Sequence, residues 1–221
     1  MSQQKINELD RRRLLTQAGV WLLVGGLGGC KFRGESRTTD RLPLSNEPSS
    51  EVVVYPFVEP IKQISNNTCW AAAWTMIKSW KDNKKFSVEA AVKLLGPQWL
   101  GYLHQDLGLE AQTFTEQGFI DASHLTAKPP ANYLPSVYVD LLASKGPLWI
   151  NTGDGILNHA MLMVSAQTTQ AGRIQFRFAD PQSGAFVTKS DETFFKEFEQ
   201  EARYIMDRKL EWDFRFQIFH W

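Results

Sequence analysis

The sequence predicts an α+β domain in which helices come first along the chain and an antiparallel sheet follows. This prediction rests on two observations. Within 69–95 and 136–143, apolar segments are bounded by capping residues, a charged turn or Gly-Pro pairs, as helices are, while 98–135 is ambiguous with short helical segments. After position 147, short apolar or alternating segments are separated by turns that contain glycine, which is typical of strands. Helices followed by a run of strands define an α+β arrangement.

The first 29 residues have the parts of an export signal. A basic patch, Arg11–Arg13, precedes an uncharged stretch, Leu14–Gly29. This stretch is rich in glycine and shorter than the about 20 apolar residues that a membrane span needs. A basic region, an apolar region and small residues before a cleavage point are typical of an export signal. An uncleaved N-terminal membrane anchor remains the alternative.

The end of this stretch, Leu27–Cys30, resembles a bacterial lipobox, and the arginines before it resemble a twin-arginine signal. The resemblance implies a lipid on Cys30 that anchors the protein to a membrane of the cell envelope, and Lys31 after it favours the outer membrane in a Gram-negative source. Residues 30–50 are polar and suit a flexible tether. We therefore expect an export signal over 1–29, a tether over 30–50 and one domain over 51–221.

The composition argues against several function classes. The chain has 24 basic and 24 acidic residues and no basic stripe, so the sequence does not support nucleic-acid binding. If Cys30 carries the lipid, Cys69 is the only thiol of the domain, and an unpaired thiol in an exported protein is a candidate reactive group. The histidines and Cys69 do not have metal-ligand spacing. We therefore expect neither a metal nor a cofactor.

Local signals place the elements of the domain in chain order. The first is a short extended segment, Val52–Tyr55, which Pro56 ends. The predicted helices run from near Cys69 to about Trp80, from Val88 to Leu95 after the N-cap Ser87, around Tyr102, around Phe114, and from the N-cap Ser136 through Ala143. The predicted strands are Leu148–Ile150, His159–Ala166, Ile174–Phe178, Ala185–Val187 and Phe214–Phe219, with a helix over Glu192–Glu201 before the last of them.

Cys69 is predicted to lie at a helix N-terminus. The residues before it, Asn66–Thr68, are helix-capping types, and Trp70–Ile77 is an apolar run that predicts a buried helix. The helix dipole favours a thiolate at this position. A small buried core cysteine is the alternative. We expect Trp70 to border a cleft beside it.

A cysteine nucleophile needs a general base, a group that orients the base, and donors for the oxyanion. Of the four histidines, His159 is the strongest candidate, because it opens an apolar strand and so faces a cleft more plausibly than a core. Asp180 ends the next predicted strand, and two neighbouring strands would bring it beside His159. Asn158 and Asp154 compete with it as orienting groups.

The order and spacing of these residues resemble the papain-like cysteine peptidases, most closely the bacterial effector proteases and the bacteriocin-processing peptidase domains of exporters. The matching segments, within about residues 61–190, are Gln63, Cys69-Trp70-Ala71, Asn158-His159-Ala160 and Asp180-Pro181. The resemblance implies a papain-like fold, in which the nucleophile helix packs on a C-terminal antiparallel sheet.

The resemblance also implies roles for four residues. Cys69 is the nucleophile, and His159 is its base and later the acid that protonates the leaving amine. Asp180 holds the imidazole, and the Gln63 amide joins the backbone N–H of Cys69 as an oxyanion donor. The implied activity is hydrolysis of peptide bonds in a protein or peptide through a thioester.

Other function classes stay open at this point. The same triad supports other amide acyl transfers, by a peptidoglycan amidase, a deamidase or a transglutaminase-like enzyme. Cell-wall hydrolases of the NlpC type usually use a second histidine as orienting group, and none follows His159 at a suitable spacing. The Asn-Ser-Trp motif of the plant enzymes is also missing after His159, so the third group depends on Asp180. A lipoprotein that uses the fold only for binding is the remaining class.

Overall fold

The computed structural model describes residues 51–52, 58–108, 115–128, 133–153, 158–207 and 217–221. Contacts divide the chain into Met1–Asn46 and Glu47–Trp221, and every described residue lies in the second unit. The predicted export signal, Cys30 and the tether lie outside the described residues and stay predictions. In the parts of the chain listed above, no helix is both long enough and apolar enough to cross a membrane.

The described elements confirm the predicted order of helices before sheet. The helices are α1 (Cys69–Asp82), α2 (Val88–Lys93), α3 (Pro97–His104), α4 (Glu116–Ser123), α5 (Pro135–Lys145) and α6 (Asp191–Asp207). The strands are β1 (Glu51–Val52), β2 (Thr126–Ala127), β3 (Leu148–Gly153), β4 (Asn158–Thr168), β5 (Ile174–Asp180), β6 (Ala185–Ser190) and β7 (Ile218–His220).

All described strands join one sheet in the order β2-β7-β3-β4-β5-β6, with β1 paired to the far end of β4. Every pair in it is antiparallel. The pairs β3–β4, β4–β5 and β5–β6 join strands that follow one another in the chain, as hairpins do. The fold is therefore α+β with a C-terminal antiparallel sheet, as the sequence predicts.

The central strand β4 is buried on both faces, which explains its uninterrupted apolar run. Successive side chains of a strand point to opposite faces of the sheet. Leu162 and Val164 pack in one core with helix α1, whereas Met161 and Met163 pack in a second core with helices α5 and α6. Burying each such side chain stabilises the fold by about 1.5–3 kcal/mol. The two cores fix β4, and therefore His159 near its start, relative to α1.

Helix α1 is held in place by its first half. Every residue from Cys69 to Ile77 is buried, and a helix segment that is apolar all round belongs in a core. The three alanines in it favour the helical backbone. The helix ends at Asn83, which is left-handed with φ 49° and whose N–H donates to the carbonyls of Ser79 and Trp80. Helix α1, which begins with Cys69, is therefore firmly anchored in the core against the sheet.

The structure corrects some element boundaries. Ser87 is confirmed as an N-cap, because its Oγ accepts from Ala90 N at 3.2 Å. Ser136 is not an N-cap: the N-cap is Leu134 and α5 begins at Pro135, since proline at the first helical position has the right φ and needs no N–H partner. Strands β3 to β6 and helix α6 are each longer than predicted, because apolar periodicity marks the interior of an element better than its ends.

Candidate active site

Cys69 is the first residue of α1, as predicted, and only 5% of it is exposed. The N-cap residue Thr68 makes no side-chain bond to the helix. Its hydroxyl instead donates to the carbonyl of Ser65 and accepts from Ser65 N–H, at 3.0 and 3.1 Å. The first N–H groups of a helix have no intrahelical partner. Among the described residues, none accepts a hydrogen bond from the backbone N–H of Cys69, which therefore stays available beside the thiol.

His159 and Asp180 meet at the edge where β4 begins and β5 ends. The two strands are antiparallel neighbours, with Leu162 opposite Ala179, so the start of one lies beside the end of the other. His159 Nε2 lies 2.6 Å from Asp180 Oδ1. The juxtaposition predicted from the sequence is therefore present in the structure.

The carboxylate of Asp180 is held by the turn that follows it. Its Oδ1 also accepts from the backbone N–H of Gln182, at 2.9 Å. Its Oδ2 accepts from the N–H and the hydroxyl of Ser183, at 3.2 and 2.7 Å. A side chain that binds backbone N–H groups two and three residues on is typical of an Asx turn. Asp180 is buried, so these bonds leave it little freedom to turn away from His159.

The hydrogen bonds decide the charge of the pair. Burial lowers the pKa of His159, but hydrogen bonds with Asp180 and with the Cys69 side chain outweigh burial and raise the pKa to about 9. Burial raises the pKa of Asp180, but the bonds from His159 and Ser183 outweigh it and hold the pKa well below its usual range. At neutral pH an imidazolium therefore lies between a carboxylate and Cys69. Because Asp180 occupies Nε2, Nδ1 is the ring nitrogen left for Cys69.

Gln63 lies in the loop before Cys69. Its Nε2 donates to the backbone carbonyls of Ser65 and Asn66, at 2.9 and 3.0 Å. Its Oε1 is buried and has no hydrogen-bond partner among the residues that the structure describes. Both amide hydrogens are thus engaged within the loop, and donation to a substrate oxygen requires one of these bonds to be exchanged. The oxyanion role of Gln63 stays a prediction.

The competing residues have other partners or lie outside the described residues. The Asn158 amide, in the orientation that satisfies its surroundings, donates to the buried carboxylate of Glu201 at 3.0 Å. Asp154 lies outside the described residues. The other histidines lie elsewhere: His104 faces Glu89 at 3.8 Å, His124 is the C-cap of α4, and His220 bonds the carbonyl of Trp221 at 2.8 Å.

Trp70 corrects one expectation. It is fully buried and does not border a cleft. Its Nε1 donates to the carbonyl of Leu107 at 2.9 Å, which ties the start of α1 to the turn after α3. The tryptophan next to Cys69 thus fixes the helix rather than lining the site.

Sequence reasoning missed two residues that contact the site, Ser183 and Asp106. Ser183 follows Asp180 by three residues, a spacing typical of Asx turns, so its contact could have been anticipated. Asp106 accepts from the hydroxyl of Ser65 at 2.6 Å and from Asn67 N–H at 3.1 Å. No local sequence signal links Asp106 to that loop, because the two segments lie far apart in the chain.

A cysteine at the start of a helix and a histidine–aspartate pair at a sheet edge, in an α+β fold, form the arrangement expected of a papain-like cysteine protease. A family model described as papain-like cysteine protease AvrRpt2 matches residues 56–203, which is two thirds of the chain and a range that contains Gln63, Cys69, His159 and Asp180. The chain belongs to this family. No curated protein matches it.

Proposed function

We propose that the protein is a cysteine peptidase that hydrolyses peptide bonds through a thioester on Cys69. The observation that supports this most is the hydrogen-bonded series from Asp180 through His159 to Cys69. The family supports cysteine peptidase activity in general. The residue roles and the steps below are inferred from the geometry and from the chemistry of acyl transfer.

In the first step, the Cys69 thiolate attacks the carbonyl carbon of the scissile bond and forms a C–S bond. The carbonyl oxygen becomes an oxyanion, which the backbone N–H of Cys69 and the amide of Gln63 stabilise by hydrogen bonds. The positive end of the α1 dipole adds to this stabilisation. Thr68 makes no side-chain cap, so no capping oxygen competes with the oxyanion for the backbone N–H groups at the start of α1.

In the second step, the tetrahedral intermediate collapses and the C–N bond breaks. The imidazolium of His159 gives its proton to the leaving nitrogen, which departs as a neutral amine and leaves a thioester. A histidine that is protonated at neutral pH suits this task, and the raised pKa of His159 provides it.

In the third step, neutral His159 takes a proton from water, and the hydroxide equivalent attacks the thioester carbonyl. The C–S bond breaks, the carboxylic acid leaves, and Cys69 and His159 return to their starting charges. Asp180 is not protonated in this cycle. It keeps the ring oriented and stabilises the imidazolium.

The activity is tested with peptide mixtures of broad sequence coverage, analysed by mass spectrometry after incubation with the full-length protein or with Cys69→Ala. New peptide termini that need Cys69 support the peptidase. Cys69-dependent conversion of Gln to Glu without new termini identifies a deamidase instead. If the two proteins leave the mixtures equally unchanged, the proposal fails.

We further propose that the protein works at the cell envelope, bound to a membrane by a lipid on Cys30 after export by a twin-arginine-like signal. This proposal rests on the sequence of residues 1–30 alone. A polar segment of about 20 residues would then separate the lipid from the domain and let the site reach protein substrates near the membrane.

A further inference from the structure

The loop between Gln63 and Cys69 is bound by one carboxylate from a distant part of the chain. Ser65 Oγ donates to Asp106 Oδ1 at 2.6 Å, and Asn67 N–H donates to the same oxygen at 3.1 Å. The Asn67 side-chain amide donates to the backbone carbonyl of Asp106, also at 3.1 Å. Hydrogen bonds to an ionised acceptor are about twice as strong as neutral ones. Asp106 is therefore the main external contact of this loop within the described structure.

The position of Asp106 is itself fixed by the fold. It lies in the turn after α3 with a left-handed φ of 53°, a conformation that aspartate tolerates better than most residues. Its N–H donates to the carbonyl of Leu103 at 3.3 Å, and the next residue, Leu107, donates to Tyr102 at 2.9 Å. The carbonyl of Leu107 in turn accepts from Trp70 in α1. The carboxylate is thus held by a rigid turn that also contacts the nucleophile helix.

The contacts of Asp106 lead to Gln63. The two residues that Asp106 binds, Ser65 and Asn67, lie on either side of Asn66. The carbonyls of Ser65 and Asn66 are the acceptors of the Gln63 amide. Where Asp106 holds the loop, it also sets the position of these two carbonyls and hence the direction of Gln63 Nε2.

We propose that Asp106 is a positioning residue for the oxyanion donor Gln63. This inference rests on the proposed function, because it assumes that Gln63 acts on a transition-state oxyanion. Asp106 does not touch the substrate in this proposal. It keeps the loop in the arrangement from which one Gln63 hydrogen can be exchanged to the oxyanion, so its loss lowers the rate of the chemical step more than substrate binding.

The test compares Asp106→Gly with Asp106→Asn in the full-length protein. Glycine keeps the left-handed backbone and removes the acceptor, whereas asparagine keeps both the backbone and an acceptor oxygen. The probe is the p-nitrophenyl ester of an N-acylated amino acid. We expect Asp106→Gly to lower kcat about tenfold with little change in KM, a fraction of the 10²–10³ lost with a whole oxyanion donor. Asp106→Asn should recover most of that loss.

A double-mutant cycle separates positioning from general stability. If Asp106 acts through Gln63, Asp106→Gly should cost little in a Gln63→Ala background. Iodoacetamide alkylation of Cys69, which involves no oxyanion, should keep its rate in Asp106→Gly. The proposal is overturned if the loss in kcat is the same in both backgrounds, or if alkylation slows as much as ester hydrolysis.

The outcomes distinguish this proposal from the function on which it rests. If iodoacetamide alkylates Cys69 of the wild type but the wild type hydrolyses neither ester nor peptide, the proposed function is refuted, and the role of Asp106 is refuted with it. If the wild type is active but the double-mutant cycle shows no coupling between Asp106 and Gln63, only the role of Asp106 is refuted. If Asp106→Gly does not fold, Ser65→Ala replaces it, because this variant deletes one donor to the Asp106 carboxylate. Ser65→Ala should also lower kcat, and an unchanged kcat would overturn the proposal.

Discussion

The backbone N–H of Gln63 donates to the carbonyl of Pro181 at 2.8 Å, which joins the loop before Cys69 to the turn after Asp180. Next to this hydrogen bond, the backbone of Gly184 packs closely against Lys62. A Cβ on Gly184 would lie 2.8 Å from the Cβ of Lys62, closer than real Cβ atoms come, and 3.3 Å from its Cα, which is an unusually tight contact. The two sides of the site are therefore held together by an approach that only glycine permits.

We predict that Gly184→Ala destabilises the fold and lowers activity. Its φ is +68°, so alanine costs about 1–2 kcal/mol for the left-handed backbone, and the contact with Lys62 adds about 1–3 kcal/mol of overpacking. Gly172→Ala is the matched control, because its φ is +73° and nothing lies within 4 Å. Urea unfolding and ester hydrolysis should show the larger loss for Gly184→Ala, and equal losses would contradict the close approach.

Stability should depend on pH through His159. The pKa of His159 in the folded protein is about 9, against about 6.5 in an unfolded chain. The folded state therefore holds this proton more tightly. The stabilisation is fully present below about pH 6.5 and is lost as the pH rises through about 9. At about 1.4 kcal/mol for each pKa unit, the loss in free energy of unfolding is on the order of 3 kcal/mol.

Asp180 makes stability depend on pH in the opposite direction. Its lowered pKa gives a stabilisation that is present above the unfolded value of about 4 and is lost as the pH falls through the folded value. The hydrogen bond between the two side chains contributes to both effects and counts once.

The His159 effect is measured by urea unfolding between pH 6 and 9.5. The free energy of unfolding should fall with rising pH for the wild type and change less for His159→Ala. Parallel slopes for the two proteins would show that His159 does not hold the extra proton.

The sequence predicted the parts of the site that depend on regular structure. Cys69 follows capping residues and precedes an apolar run, so its place at the start of α1 follows from local signals. His159 and Asp180 lie at the start and the end of consecutive strands, and consecutive antiparallel strands pair as neighbours. Their 2.6 Å contact is therefore a consequence of the hairpin order.

The contacts that depend on loops and on tertiary packing were not predictable. Asp106 reaches Ser65 because α3 ends beside the loop that precedes Cys69, and no periodicity or motif in the sequence predicts this contact. The expectation that Trp70 borders a cleft is wrong for a related reason. A tryptophan next to a nucleophile can face a cleft or a core, and the position of the Leu107 carbonyl, which accepts its Nε1–H, decides between them.

Replacing Cys30 by alanine should change how the protein is anchored. If Cys30 carries a lipid, Cys30→Ala should either appear in the soluble fraction or persist as a precursor of higher mass, because the lipobox can no longer be processed. Cell fractionation and intact-mass measurement report the two results. Cys69→Ala is the matched cysteine control and should stay in the membrane fraction with a lipid. A Cys30→Ala protein with unchanged mass and unchanged membrane association would refute the lipid anchor.

Removing the Gln63 amide should slow the chemical step. Gln63→Ala should cost about 2.7–4 kcal/mol of transition-state stabilisation, or 10²–10³ in kcat, the usual loss for one oxyanion donor. KM and thermal stability should change little, since the residue is partly exposed and its backbone bond to Pro181 remains. Gln182→Ala is the control, because Gln182 contacts Asp180 through its backbone N–H. Equal kcat values for the two variants would remove Gln63 from the mechanism.

The triad should respond to substitution as one unit. Cys69→Ala should abolish hydrolysis, and His159→Ala should come close to it, because the thiolate and the proton donor are both needed for bond cleavage. Asp180→Ala should be about two orders of magnitude less severe, since the carboxylate orients the ring without taking a proton. Asp180→Ala combined with Cys69→Ala should be no worse than Cys69→Ala alone. Kinetics of ester and peptide hydrolysis measure all four proteins.

The same variants separate an enzyme from a binding module on this fold. Far-ultraviolet circular dichroism first establishes that Cys69→Ala keeps the wild-type fold, which we expect because alanine is smaller than cysteine and a good helix former at a buried helix position. A folded Cys69→Ala protein should then lose the biological activity of the wild type together with its hydrolysis. If it keeps that activity in full, the thiol is dispensable. The protein then acts through binding by the folded domain and not through bond cleavage.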